Sequence, residues 1–160
     1  VNIFERVFDQ MARMGLAFKS DPIKVIETAG REWGQVTGGL DLSIAPRTDQ
    51  KDLLSVILRN VEPIAKQIVT RGWLHFLEVH LTSPDGADVP LSAYGRQVLD
   101  PSRATSQMTV QLGPNEMVET ELPIGLLYEM SAPGTYQVSV SCQLPGGVLT
   151  SNECVMKHLD

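Results

Sequence analysis

Ala132-Pro133-Gly134-Thr135-Tyr136-Gln137-Val138-Ser139-Val140-Ser141-Cys142 is the stretch that decides the fold class. A turn opens into a run in which Tyr136, Val138, Val140 and Cys142 alternate with Gln137, Ser139, Ser141 and Gln143. Successive strand side chains point to opposite faces, so this period of two predicts one buried and one wet face. The same code recurs upstream. Leu40, Leu42 and Ile44 alternate in a strand stopped by Pro46. Leu54, Val56 and Leu58 alternate in a second strand, which also carries Leu53 and Ile57 on its other face. Trp73–Leu81 reads as a third, with Leu77, Val79 and Leu81 opposing Phe76, Glu78 and His80.

Turns separate these runs. Ser83-Pro84-Asp85-Gly86 carries Pro and Gly where tight turns favour them. The segment around Val89-Pro90-Leu91 fits only a sheet edge, because proline cannot donate to a ladder. Met108, Val110 and Leu112 form a further strand, and Gly113-Pro114-Asn115-Glu116 turns the chain into Val118, Thr120 and Leu122. Met117, Glu119 and Glu121 fall on the opposite face of that strand. After Pro145-Gly146-Gly147 a last strand holds Cys154 and Met156. Seven or eight short strands with turn signals between them predict an all-β antiparallel sandwich.

Residues 1–32 follow a different code. Ile3, Phe4, Val7, Phe8, Met11 and Met14 recur at helical spacing, and Glu5, Arg6, Asp9, Gln10 and Arg13 take the other side. Gly15 is a stop, Ser20-Asp21-Pro22 a second start, and Gly30 a second stop. The expected division is a short helical N-terminal extension over 1–32 and a sandwich over 33–160. The apolar stripe needs cover, either from the sandwich or from a second copy or partner. Phe4, Phe8 and Met11 are therefore the candidate interface, including that of a homodimer. The balanced charge of the polar side disfavours a helix lying on a membrane surface.

Composition narrows the classes further. The chain has 160 residues, 42% of them hydrophobic, enough for a core without metal or disulfide staples. Its net charge of −6 and scattered Lys and Arg argue against nucleic acid, which needs clustered cations. No apolar run is long enough to span a bilayer as a helix. Val1 at the start fits a processed or trimmed chain.

Several local patterns resemble a class of bacterial immunoglobulin-like domains. Gly134-x-Tyr136 is similar to the tyrosine corner of such sandwiches, whose hydroxyl bonds back to upstream backbone. Trp33-Gly34 with Gly39-Leu40-x-Leu42 resembles the start of their first strand, and Leu58-x-Asn60-Val61 the end of their second. Val110-x-Leu112-x-Pro114-x-Glu116 resembles one of their turns, with Gly113 displaced to before the proline. Leu127-Tyr128-x-Met130-Ser131-x-Pro133-Gly134-Thr135-Tyr136-x-Val138 also resembles the intracellular proteinase inhibitor family and the sandwich domains of some secreted metallopeptidases. The likeness covers about residues 33–158 and implies an immunoglobulin-like β-sandwich. It implies no inhibitory loop, and Val138 occupies the place of the antibody-type cysteine. Most resembling domains sit in exported bacterial proteins, implying the envelope or exterior, while the inhibitors are intracellular.

Reaction chemistry is sparse. His75, Glu78 and His80 are the one histidine–acid cluster, and strand geometry sends His75 away from the other two. Zinc needs three or four convergent ligands. Asp85 and Asp88 are too few for calcium. No Gly-x-Ser-x-Gly elbow occurs, and Cys142 lies within a strand. Cys142 and Cys154 flank the Gly146-Gly147 turn; a simple hairpin would place both thiols inward and roughly opposite, as a candidate disulfide or as two free thiols. The expectation is a non-catalytic protein-interaction module with no cofactor, metal, nucleic acid or membrane insertion. The alternative is a proteinase inhibitor that binds through a sandwich loop.

Overall fold

The alternating runs become antiparallel strands in the computed structural model, which describes residues 28–103 and 106–159. Nine strands appear among the described residues: β1 (Leu40–Pro46), β2 (Leu53–Asn60), β3 (Lys66–Thr70), β4 (Glu78–Thr82), β5 (Met108–Leu112), β6 (Met117–Pro123), β7 (Gly134–Leu144), β8 (Gly147–Thr150) and β9 (Cys154–His158). Three short helices punctuate them: α1 (Trp73–Phe76), α2 (Ala93–Val98) and α3 (Ile124–Leu127). The helices expected before Gly30 fall almost wholly on residues 1–27, outside the described residues.

The strands form three antiparallel groups. The first sheet has the order β1-β2-β6, with Leu42 opposite Leu58 and Leu58 opposite Val118. A two-stranded ribbon pairs β3 with β5. The third sheet is built on β7, which pairs β4 along one edge. Its other edge pairs β9 over residues 134–138 and β8 over 141–144. Registers keep the main apolar rows on one side, while Leu53 and Ile57 of β2 fall on the other. Leu42, Ile44, Leu54, Val56, Leu58 and Leu122 of the first sheet meet Tyr136, Val138, Val140 and Cys142 of the third in one buried cluster. Ile68, Val110 and Leu112 of the ribbon join it. The architecture is all-β, with antiparallel sheets in a sandwich-like arrangement.

Two expected strands read differently in three dimensions. Trp73–Phe76 is a helical turn, closed by Phe76 N–H to the Gly72 carbonyl (3.0 Å) and Leu77 N–H to that of Trp73 (2.9 Å). The turn buries Trp73 and Leu77 while leaving His75 exposed, whereas a strand would put all three on one face. The strand proper starts at Glu78. Around Val89 only isolated bridges form, Thr82 with Asp88 and Leu91 with Tyr128. Pro90 breaks the ladder between them. The last segment also divides into β8 and β9, with Ser151–Glu153 between them.

That division covers the edge of β1. Asn152 accepts from Ile44 N–H through Oδ1 (2.9 Å) and donates through Nδ2 to the Ile44 carbonyl (3.1 Å). Gly34 N–H donates to the Leu42 carbonyl (2.9 Å). Together they occupy backbone groups that would otherwise template a foreign strand. At the start of β7, Tyr136 is buried and its hydroxyl donates to the Ala132 carbonyl at 2.6 Å. Gly134 has φ +137°, and a Cβ there would come within 2.8 Å of Pro84. The turn at Pro84 therefore packs directly on the corner that starts β7.

Candidate functional site

The strongest candidate site is the group of loops gathered at the end of β2. Asn60 closes that strand and is 0% exposed. Its amide nitrogen donates to the carbonyls of Ile64 (2.8 Å), Leu112 (3.1 Å) and Gly113 (3.1 Å). Its Oδ1 accepts from Glu62 N–H at 3.0 Å, an Asx-type turn that bends the chain out of the strand. The backbone N–H of Asn60 donates to the Glu116 carbonyl (3.0 Å), and Val61 N–H to that of Gly39 (2.9 Å). One buried side chain thus joins loop 61–65 to the β5–β6 turn, and its neighbour joins both to the start of β1. Gly147 at the β7–β8 turn lies against Thr37 and extends the same end.

The surface of this end is apolar and rich in proline. Ile64 is 59% exposed, and Pro63, Pro114 and Pro145 are also exposed. The nearby carboxylates already have partners: Glu62 with Lys66 (3.0 Å), and Glu116 Oε2 with the N–H of Gly113 (2.9 Å). Such an arrangement offers shape and apolar contact rather than proton transfer.

A second polar cluster lies on the first sheet, on the face opposite the core. Arg31 donates through Nε to Ser43 Oγ (3.0 Å) and through Nη1 to Ser55 Oγ (3.2 Å). Its Nη2 reaches the Ser43 and Ser55 carbonyls, both at 3.2 Å. Burial pushes the Arg31 guanidinium below its ordinary range, against the opposing pull of Glu119. Beside it Arg59 grips the buried Asp41 in a fork (Nε–Oδ1 3.0 Å, Nη2–Oδ2 2.6 Å) and stacks on Trp33 at 3.7 Å. These contacts anchor residues 31–33 to the sheet. Sequence reasoning passed over them, although the double-sided apolar pattern of Leu53 and Ile57 signals a covered second face.

The residues singled out earlier scatter. Glu78 and His80 share the outward face of β4, and His75 sits exposed on α1. Among the described residues no group of three His, Cys, Asp or Glu side chains converges on one point. His80 Nε2 lies 3.0 Å from Ser141 Oγ, a pair found only through the β4–β7 register. The backbone around Ser141 lies in a strand paired on both edges, with Glu78 on one side and Thr150 on the other. The tips at Pro84-Asp85-Gly86 and Pro145-Gly146-Gly147 lie at opposite ends of the 11-residue β7. Phe4, Phe8 and Met11 are outside the described residues.

The cysteines do not face each other. Cys142 pairs with Leu149, whereas Cys154 pairs with Val138. That offset of four residues along β7 is roughly 13 Å, beyond the reach of a disulfide. Both thiols are free, and burial raises Cys142 to about 12 and Cys154 to about 11. Unfolded thiols ionise near 8.5–9, roughly, so the unfolded state loses its protons first on the alkaline side. Stability is thus full below that pH and falls above it, by about 1.4 kcal/mol per unit for Cys142 alone. Urea unfolding from pH 8 upward is expected to show this slope, reduced in Cys142→Ala; equal slopes would refute the assignment.

No family model matches the chain, and no curated protein matches it. Fold and geometry therefore define the class by themselves: an all-β protein whose loops are braced from beneath at one end. Among the described residues no helix is long and apolar enough to cross a membrane.

Proposed function

We propose that this chain is a non-catalytic immunoglobulin-like interaction module that engages a protein partner through the loop end organised by Asn60. The observation that carries this reading is the buried Asn60 amide, which ties loop 61–65 to the β5–β6 turn beneath a surface topped by Ile64. Preorganised loops lose less entropy on binding than free ones. The order β1-β2-β6 against β4-β7-β8/β9, with the Tyr136 hydroxyl bonded back to Ala132, supports the immunoglobulin-like description. Loop tips of sandwiches are common recognition surfaces.

A second reading, proteinase inhibition through loop 61–65, draws on one feature. The Ile64 carbonyl is braced by Asn60 while its side chain is exposed, as suits a loop that is engaged without being released after cleavage. One experiment addresses both. The chain, its Ile64→Asp variant and an Asp85→Ala variant at the other end of β7 are tested for partner capture and against serine and metalloproteases. The interaction reading expects a partner retained by the parent and Asp85→Ala but lost from Ile64→Asp. Equal capture by all three overturns it, and stoichiometric protease inhibition abolished by Ile64→Asp replaces it with the inhibitor reading.

A further inference from the structure

The side of β7 turned away from the core carries a mirror pattern. Its outward residues run Gln137, Ser139, Ser141, Gln143, symmetric about Val140. The neighbouring strands continue the symmetry. Along one edge β4 sets His80 opposite Ser139 and Glu78 opposite Ser141. Along the other, Val155 of β9 stands opposite Gln137, and Val148 of β8 opposite Gln143. Residues paired across strands share a face, so these side chains make one surface. Glu78, His80, Gln137 and Gln143 are exposed, and Val148 and Val155 are 54% and 52% exposed. Ser139 is half-buried, while Ser141 is buried and holds the His80 ring at Nε2 (3.0 Å).

A surface ordered in this way fits a copy of itself. A two-fold axis running across the strands at Val140 exchanges residues that stand equally far to either side of it. Stacked face to face, Val148 of one copy meets Val155 of the second, Glu78 meets His80, and Gln143 meets Gln137. Every such contact occurs twice. The valines gain apolar cover, and each carboxylate gains an imidazole. An axis along β7 would instead set the valine edge over the Glu78–His80 edge, apolar against polar. Lys157, opposite Thr135, lies outside the symmetric area, and Asp88, beside Thr82, lies at its rim. We propose that the outer face of β4-β7-β8/β9, centred on Val140, is the interface for a second copy of this chain in an antiparallel face-to-face dimer. It goes beyond the role given to Ile64 and does not depend on it. The symmetric area spans roughly 20 Å along the strands and about 10 Å across them. That is small beside a standard interface, so the dimer is weak and forms at high concentration.

Sedimentation velocity of the full chain from about 10 µM to about 1 mM, the range of weak complexes, tests this. The expected result is a weight-average mass that climbs from one chain toward two. Val155→Arg should abolish the climb, while Val69→Arg, at a comparably exposed valine on β3, should leave it unchanged. His80→Glu sets acid against acid and should weaken association about tenfold. Adding Glu78→His to that variant exchanges the pair across the axis and should restore association to within about threefold. Unchanged circular dichroism and urea midpoints establish that each variant is folded. A parent chain that stays monomeric throughout overturns the proposal. So does association that is insensitive to Val155→Arg or His80→Glu, or that the exchanged pair fails to restore.

Discussion

Asn60→Ala is expected to destabilise the protein by about 3 kcal/mol, one of the two largest effects of any single substitution considered. The amide has two hydrogens facing three carbonyls, at 2.8, 3.1 and 3.1 Å, so one hydrogen is shared. Alanine removes those donors and the acceptor that holds Glu62 N–H. The Leu112 carbonyl is the costliest loss, because it is buried and cannot turn to water. Each net hydrogen bond contributes about 1 kcal/mol, and a stranded buried group costs about 1–3 kcal/mol. In urea this corresponds to a midpoint about 1–2 M lower at an ordinary slope. Asn60→Asp should be at least as damaging, since its carboxylate would face three carbonyls with no donor. A drop under about 0.5 kcal/mol for Asn60→Ala, within the range of ordinary surface changes, would mean that the loops hold their shape without it. The braced surface would then have no basis.

Gly34→Ala should cost a comparable amount, about 2–3 kcal/mol, by overpacking a backbone crossing. A Cβ at Gly34 would lie 2.0 Å from the Thr150 carbonyl oxygen and 2.7 Å from the Ser151 carbonyl carbon. Both neighbours are main chain, so no side chain can swing aside. Relief requires residues 33–35 to lift away from the end of β8, which breaks the bond from Gly34 N–H to the Leu42 carbonyl. That exposes part of the β1 edge, and aggregation should rise together with the loss of stability. Gly146→Ala is the matched control, because nothing lies within 4 Å of its Cβ position. Chemical denaturation and light scattering read both consequences. Equal behaviour of the two variants would show that the crossing is looser than the geometry requires.

The two substitutions also mark where sequence reading stops. Asn60 stands out in the sequence as the end of a strand, next to Val61. Nothing local says that its amide will meet carbonyls 52 and 53 residues away. Gly34 beside Trp33 looks like the start of a strand, while its purpose is to let the Ser151 backbone approach. His80 and Ser141 came together in the same non-local way, and the cysteines were separated by it. Their strands each alternate correctly, but the register that fixes opposite residues depends on where the connecting segment breaks.

Periodicity by itself determined the all-β class, the position of six strands or their main portions and the inward row of each. Burial of alternate side chains is a local requirement that a strand writes into its own sequence. It also placed the apolar Leu53 and Ile57 on the second face of β2, where both are buried. Tertiary structure alone decided the coiling of Trp73–Phe76, the splitting of β8 from β9, the loop brace at Asn60 and the Arg31 bridge over the first sheet. Each of these is set by a partner distant in the chain, through a hydrogen bond or a close contact whose energy exists only once both segments are in place.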